Sequence, residues 1–298
     1  MRISIPTALL ILLTLAPFLR AADPPAPKKI ILIAGKKSHG PEGNGVHDYN
    51  WSARLLKTAL ERSNIKNQIK VEIHFNGWPS DEKSLEDAAT IMIISDGRDG
   101  DKFSEALHLE SPQRVTSVQK LMDKGCGLAL LHFSTFAPDQ YAQQCFEWTG
   151  GYFDWEENGK RQWYSAITTL DNADVQLASP EHPISHGVKP FKMKEEFYYN
   201  IRFNEGDKSL TPLLTVPALK GRPDNGNTVA WCRERSNKGR GFATTCGHFY
   251  DNWKNNDFRR LVLNGLAWTA HVEVPKEGVE SNFPMREEIE KSEASDKN

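Results

Sequence analysis

The chain is poor in cysteine, and its cysteines are widely spaced. It has 298 residues and four cysteines, no two of which form a CxxC pair. The sequence therefore lacks the short spacing of a structural zinc module or of a thioredoxin-like redox site. Because a chain of this size can fold on an apolar core alone, both disulfide bonds and buried free thiols remain open for Cys126, Cys145, Cys232 and Cys246.

A strong charge of either sign is also missing. Lysine and arginine together number 37, aspartate and glutamate number 39, and the formal net charge is −2. No long basic stripe runs along the chain. Nucleic acids and anionic membrane surfaces attract proteins that carry concentrated positive charge. We therefore expect neither of them as a partner.

Long apolar runs are absent except at the start of the chain. A short basic beginning at Arg2 precedes an apolar stretch that ends at Leu19, and small residues follow. This is the pattern of a secretory signal peptide. We predict a signal peptide at residues 1–21, cleaved after Ala21 or Ala22, and a periplasmic or secreted protein without stable membrane insertion. The alternative is a retained anchor, for which the run is short.

Residues 28–272 are predicted to form one α/β domain. Apolar runs at Lys28–Gly35, Thr90–Ser95 and Gly127–Phe133 indicate strands buried on both faces. Helical spacing at His47–Ser63 and Val115–Lys124 alternates with them, which is typical of a parallel sheet with helices on both faces. A further strand of the first half is predicted at Val71–Phe75. The second half is predicted to be richer in strands and to close with a helix: strands at Tyr164–Leu170, Glu196–Phe203, Pro212–Val216, Thr228–Arg233 and Gly241–Cys246, and the helix at Asp257–Ala270.

The C-terminal segment, residues 273–298, has a different composition. It is highly charged and nearly free of large apolar side chains. Such a segment buries too little apolar surface to offset the entropy lost on folding. We predict a polar, disordered tail with a marginal helix at Met285–Ser292.

The loop after the first strand, GKKSHGPEGNGVHDYNW at residues 35–51, is rich in glycine but carries no nucleotide motif. Neither G-x-G-x-x-G nor G-x-x-x-x-G-K-[ST] is present. Asp48 stands where the third glycine of a dinucleotide fingerprint would be, and its carboxylate would repel a phosphate. We interpret the glycines as allowing a tight bend that directs His39 and His47 over the sheet, with Asp48 as the helix N-cap.

The positions of the histidines indicate a ligand site. In open α/β sheets, ligands bind beyond the carboxyl ends of the strands. His39 and His47 follow the first strand, His132 ends the fourth, and His248 ends the last, so all four are predicted on one rim. We interpret His74, His108 and His271 as surface or structural residues, because they lie inside a strand, in a polar loop and past the final helix. His182 and His186 flank Pro183, so their HxxxH spacing cannot lie on a regular helix and is no zinc-protease motif.

Several segments resemble the ThuA (trehalose-utilisation) family. They are the Gly/His loop that leads to His47-Asp48, Leu131-His132 at a strand end, HPI at 182–184, EEFYYNIRF at 195–203 and GRGFATTCGHFYDNW…FRRLVLNGLAW at 239–268. The resemblance implies a class I glutamine amidotransferase-like fold with a three-layer, mostly parallel, flavodoxin-like sheet. It also implies a role in carbohydrate catabolism, often of sugars oxidised at C3. Glu196 matches the acidic residue that precedes a tyrosine in the family.

Two departures from the family pattern affect the expected chemistry. Where the amidotransferase elbow carries a cysteine, this chain has His132, so a Cys–His–Glu glutaminase is not expected. Cys246, two residues before His248, is interpreted as a packing residue. Many relatives also carry a histidine after the Gly-Gly-x-Phe stretch, where this chain has Asp154 and Trp155.

These observations favour an exported enzyme of carbohydrate catabolism that cleaves glycosides or 3-keto-sugars by acid/base elimination or by hydrolysis. The alternative is a non-catalytic carbohydrate-binding protein of the same fold. A small carbohydrate is the expected partner, and the oligomeric state is open. No cofactor is expected, although four converging histidines would also suit a divalent metal such as zinc. The predicted catalytic residues are His132, Glu196 and His248, and the predicted substrate-binding residues are His39, His47, Asp48, Tyr198 and Trp253.

Overall fold

The computed structural model describes residues 25–98, 106–222 and 224–295, so the predicted signal peptide lies outside the described residues. The strands are β1 Lys28–Ala34, β2 Ile69–His74, β3 Thr90–Ile94, β4 Gly127–Leu131, β5 Gly151–Tyr152, β6 Glu156–Glu157, β7 Lys160–Arg161, β8 Ala166–Leu177, β9 Phe191–Tyr199, β10 Arg202–Phe203, β11 Leu210–Thr215, β12 Thr228–Glu234 and β13 Arg240–Thr244. The helices are α1 Tyr49–Glu61, α2 Pro112–Asp123, α3 Ala142–Trp148, α4 Asn256–Thr269 and α5 Arg286–Ser295.

Nine of the strands form one central sheet in the order β2-β1-β3-β4-β13-β12-β11-β8-β9. The first five strands in this order are parallel to one another. The other four strands extend the sheet with antiparallel pairs. The predicted α/β class is therefore confirmed, and the strand-rich second half supplies the antiparallel extension.

Helices cover both faces of the sheet, and the side chains of the parallel strands alternate between the two cores. Ile30 and Leu32 of β1 pack in one core together with α1 and α4. Ile31 and Ile33 of the same strand pack in the other core, with α2 and α3. Because each such side chain stabilises the fold by roughly 1.5–3 kcal/mol on burial, an unbroken apolar run is needed in a strand that is covered on both sides.

Polar residues that precede α2 and α4 cap the first turn of these helices. Ser111 accepts a hydrogen bond from Arg114 N at the beginning of α2, and Asn255 does the same for Phe258 N at the beginning of α4. A Cβ atom on Gly265 of α4 would lie 2.6 Å from the ring of Phe242, so this glycine lets the helix pack closely on β13.

Several boundaries differ from the prediction. β4 ends at Leu131 instead of Phe133, because His132 has a φ of +52° and cannot continue a strand. β8 and β9 form a longer hairpin than expected, and α3 was not predicted.

The prediction of a disordered C-terminal tail is wrong for residues 273–295. This segment crosses the surface and ends in α5, which packs against α1. Its apolar side chains are few, but Val279 and Ile289 are completely buried. Spaced apolar anchors therefore hold a segment whose average composition is polar.

All four cysteines are free and buried. In the described part of the chain, no helix has the length and apolar character needed to span a bilayer.

Candidate active site

Three histidines from distant parts of the chain meet beyond the carboxyl ends of the parallel strands. β4 and β13 are parallel neighbours with Leu131 opposite Thr244, so the residues that follow them, His132 and His248, lie side by side. The loop before α1 joins them because the backbone N–H of His47 donates to the carbonyl of His248 at 3.1 Å. Sheet topology thus brings these rings together, as the sequence predicted.

Two of these histidines have left-handed backbone conformations. His47 has a φ of +47° and His132 a φ of +52°. Such conformations cost on the order of 1–3 kcal/mol in residues other than glycine and are concentrated at functional sites. The turn at His132 is fixed by Ser134, whose hydroxyl accepts from Leu131 N at 2.9 Å and donates to Ile93 O at 3.0 Å.

The ring nitrogens converge on one point. His47 Nε2 lies 3.1 Å from His132 Nε2 and 2.9 Å from His248 Nδ1, and the last two atoms are 3.2 Å apart. Strand β9 adds Glu196, whose Oε2 is 3.1 Å from His248 Nδ1, and Tyr198, whose hydroxyl is 2.7 Å from His132 Nε2. We refer to these five residues as the inner cluster.

Two of the imidazoles are oriented by their second nitrogen. His132 Nδ1 lies 2.7 Å from the carbonyl oxygen of Thr245 and must donate to it. His47 Nδ1 lies 3.0 Å from the hydroxyl of Tyr49, which in turn donates its proton to Asp96. Both rings therefore present an unprotonated Nε2 to the centre of the cluster when they are neutral.

Burial keeps these two rings neutral. The pKa of His132 lies well below its usual value because the ring is buried and because His47 and His248 are close to it. Burial also lowers the pKa of His47, although Asp96 opposes the shift. His132 is therefore poorly suited to carry a proton at neutral pH. This differs from the acid/base role that the sequence predicted for it.

The two β9 side chains have complementary protonation states. Burial alone would raise the pKa of Glu196, but hydrogen bonds from His248 and Tyr198 outweigh it and leave the pKa lowered. Burial and the nearby Glu196 raise the pKa of Tyr198 well above its usual value. The cluster thus combines a carboxylate, a phenol that keeps its proton, and imidazole nitrogens that accept.

Glu195 supports the cluster, and the sequence analysis missed it. The side chain is 0% exposed, and its carboxylate accepts from Gly247 N at 2.7 Å, His248 N at 3.2 Å and Asn252 Nδ2 at 2.9 Å. Burial raises its pKa to about 8. Because consecutive strand residues face opposite sides, the pair of glutamates in EEFYY was a signal that one of them faces the core.

Two predicted substrate-binding residues have structural positions instead. Asp48 is buried, and its carboxylate accepts from Gly43 N and Gly45 N and pairs with Lys37 at 2.8 Å. It occupies the N-cap position of α1 without a side-chain capping bond. Trp253 is 0% exposed, and its indole N–H donates to Ser52 within the core. The polar atoms of both side chains are therefore engaged in contacts within the protein.

His39 lies at the edge of the inner cluster. Its ring is exposed and stands 4.3 Å from the ring of His47, centroid to centroid. Ser38 Oγ lies 2.6 Å from His39 Nδ1 and donates to Asp96, another buried carboxylate that the sequence analysis missed. Among the described residues, none of the other five histidines belongs to the groups that could share a ligand with these rings.

Comparisons with known proteins agree with this architecture. The sequence profile of the ThuA family, described as trehalose utilisation, matches residues 42–269. A ThuA-like protein from Bacteroides uniformis is 15% identical, with a TM-score of 0.58 over 84% of this chain and 94% of its own. One from Parabacteroides merdae is 14% identical, with a TM-score of 0.54 over 87% and 98%. No functionally curated protein shows significant sequence similarity. The family description supports a role related to carbohydrate utilisation, and this chain belongs to the ThuA family.

Proposed function

We propose that this protein is a carbohydrate-active enzyme that cleaves 3-keto-glycosides by proton abstraction and elimination. The observation that carries the proposal is the pairing of Glu196 with Tyr198. A carboxylate that stays ionised and a phenol that stays protonated are 3.2 Å apart, on a rim where such sheets bind ligands. This pairing supplies a base and a hydrogen-bond donor to one substrate.

The chemistry suits a sugar with a carbonyl group at C3. The carbonyl acidifies the C2 proton, which Glu196 accepts as the C2–H bond breaks. Tyr198 donates a hydrogen bond to the C3 oxygen, on which negative charge develops. The electron pair then forms a C1–C2 double bond as the C1–O bond breaks, and the proton held by Glu196 passes to the departing oxygen. No external oxidant or reductant is required.

A glutaminase-type reaction has no support in these side chains. The elbow position carries His132, and Cys246 is completely buried, which raises the pKa of its thiol well above the usual value. A thiolate nucleophile at this rim is therefore not part of the proposal.

The test is turnover of aryl 3-keto-glucosides, trehalose and 3-keto-trehalose by the purified mature protein. Glu196→Gln should lower kcat on the keto-sugars by about 10²- to 10⁴-fold, as expected for loss of a general base. The matched control is Glu205→Gln at an exposed position, which should retain wild-type turnover. Sugar binding without turnover by the wild-type protein would instead show a non-catalytic carbohydrate-binding protein, and full activity of Glu196→Gln would refute the assigned base.

Export forms a separate part of the proposal. It is supported by the basic, apolar and small-residue segments in succession at the N-terminus. N-terminal sequencing of protein expressed with its own leader should find Ala22 or Asp23 first. An intact Met1 on membrane-bound protein would instead identify the segment as an anchor.

A further inference from the structure

We infer that the inner cluster binds a divalent first-row transition-metal ion, zinc in first place, through His47 Nε2, His132 Nε2 and His248 Nδ1. This inference concerns the same site as the proposed function. It rests on the geometry of the free protein, and metal binding is measured without any sugar. Either proposal can therefore be refuted while the other stands.

The first argument is that the hydrogen bonds at the cluster do not close without a cation. His47 Nε2 and His132 Nε2 face each other at 3.1 Å, and both are acceptors because their rings donate through Nδ1. Two lone pairs at this distance repel. Two protons are available nearby, one on His248 Nδ1 and one on the Tyr198 hydroxyl, which lies 2.7 Å from His132 Nε2. Glu196 Oε2 competes for both of them, so three acceptors face two donors, whereas a metal ion would accept electron pairs from all three ring nitrogens.

The second argument is the size of the triangle formed by these nitrogens. Ligands arranged tetrahedrally at the usual zinc–nitrogen distance of about 2.0–2.1 Å lie about 3.3 Å from one another. The three nitrogens here are 2.9, 3.1 and 3.2 Å apart. The rings would move outward by only a few tenths of an ångström to accept the ion.

The third argument is the second layer of contacts. Metal-bound histidines almost always donate their other ring N–H to a carboxylate, a backbone carbonyl or water, which fixes the tautomer. His132 donates in this way to the carbonyl of Thr245, and His47 donates to the hydroxyl of Tyr49, which is hydrogen-bonded to Asp96. Two of the three imidazoles are thus held in the tautomer that metal binding requires.

Glu196 borders the fourth position. Its Oε2 lies 3.1 Å from His248 Nδ1 and 3.8 Å from His132 Nε2, and it is more exposed than the three rings. Catalytic zinc sites combine three protein ligands with one open position. A metal at this point would polarise a sugar carbonyl beside the carboxylate base.

The experiment uses untagged full-length mature protein, stripped with a chelator and titrated with Zn²⁺ and Co²⁺. We expect one ion per chain and, for Co²⁺, visible d–d absorption with the high intensity typical of tetrahedral coordination. X-ray absorption of the zinc form should show three nitrogen neighbours at about 2.0–2.1 Å. His47→Ala should weaken Zn²⁺ binding by more than the roughly 10- to 100-fold typical of an outer partner.

Matched variants separate ligands from neighbours. His74→Ala, at a half-buried histidine of β2, should bind Zn²⁺ like the wild type, and Glu196→Gln should keep the ion while losing turnover. The inference is overturned if the wild-type protein binds neither ion stoichiometrically, or if His47→Ala binds with wild-type affinity. Because the absorption measurement uses only the wild type, it decides the question even if a histidine variant fails to fold.

Discussion

Replacement of Glu195 by methionine gives a quantitative test of how the His248 turn is held. The apolar side chain removes the acceptor from three partly buried backbone N–H groups, those of Gly247, His248 and Glu196, and from Asn252 Nδ2. An unsatisfied buried donor costs about 1–3 kcal/mol, and because these groups are only partly buried we take about 1 kcal/mol for each, roughly 3 kcal/mol for the three backbone groups. Because loss of a buried carboxylate also removes its desolvation penalty, we expect a decrease of roughly 2–3 kcal/mol in the free energy of unfolding.

Urea denaturation measures this change, with two controls. Asn252→Ala removes one donor and keeps the carboxylate, so it should cost about 1 kcal/mol. Glu205→Met, at an exposed position, should stay within about 0.5 kcal/mol of the wild type. The reasoning is refuted if Glu195→Met proves no less stable than Asn252→Ala, because Glu195 would then not be the main anchor of the turn.

Two further predictions concern the cores. Gly265→Ala should lower the free energy of unfolding by about 1–3 kcal/mol in chemical denaturation, because the new Cβ overlaps the ring of Phe242. This loss should outweigh the better helix propensity of alanine, so a more stable variant would contradict the packing. The four cysteines should not react with a thiol reagent at pH 8 in the native protein, since they are buried and burial raises the pKa of each thiol. After unfolding, four thiols per chain should react. Rapid labelling of the native chain would contradict this prediction.

Much of the parallel sheet could be predicted from local sequence because its strands are buried on both faces. The runs in β1, β3 and β4 are continuously apolar, and the histidine positions followed from the rule that ligands bind where such strands end. That rule needs only strand order, so it identified His132 and His248 without any knowledge of distances.

The errors share a physical cause, which is that local sequence does not reveal the direction of a side chain. Glu195 and Glu196 are adjacent and chemically identical, yet one anchors a turn from within the core and the other faces the site. Trp253 lies in a short 3₁₀ helix whose orientation depends on tertiary packing against Ser52. The pKa of His132 likewise depends on neighbours that are remote in sequence.

The C-terminal segment, mistaken for a tail, supports the loop that carries His47. The guanidinium of Arg286 stacks 4.6 Å over Trp51 and lies 3.4 Å from Asp48 Oδ2, the oxygen that also accepts from Gly45 N. Because the ion pair is long and partly exposed, most of the loss in Arg286→Ala comes from the stacking, about 1 kcal/mol. Hydrogen exchange at Gly45 should accelerate, whereas Arg62→Ala, whose contact with α5 is exposed, should leave it unchanged. Unchanged exchange at Gly45 in Arg286→Ala would mean that the loop holds its shape without the C-terminal segment.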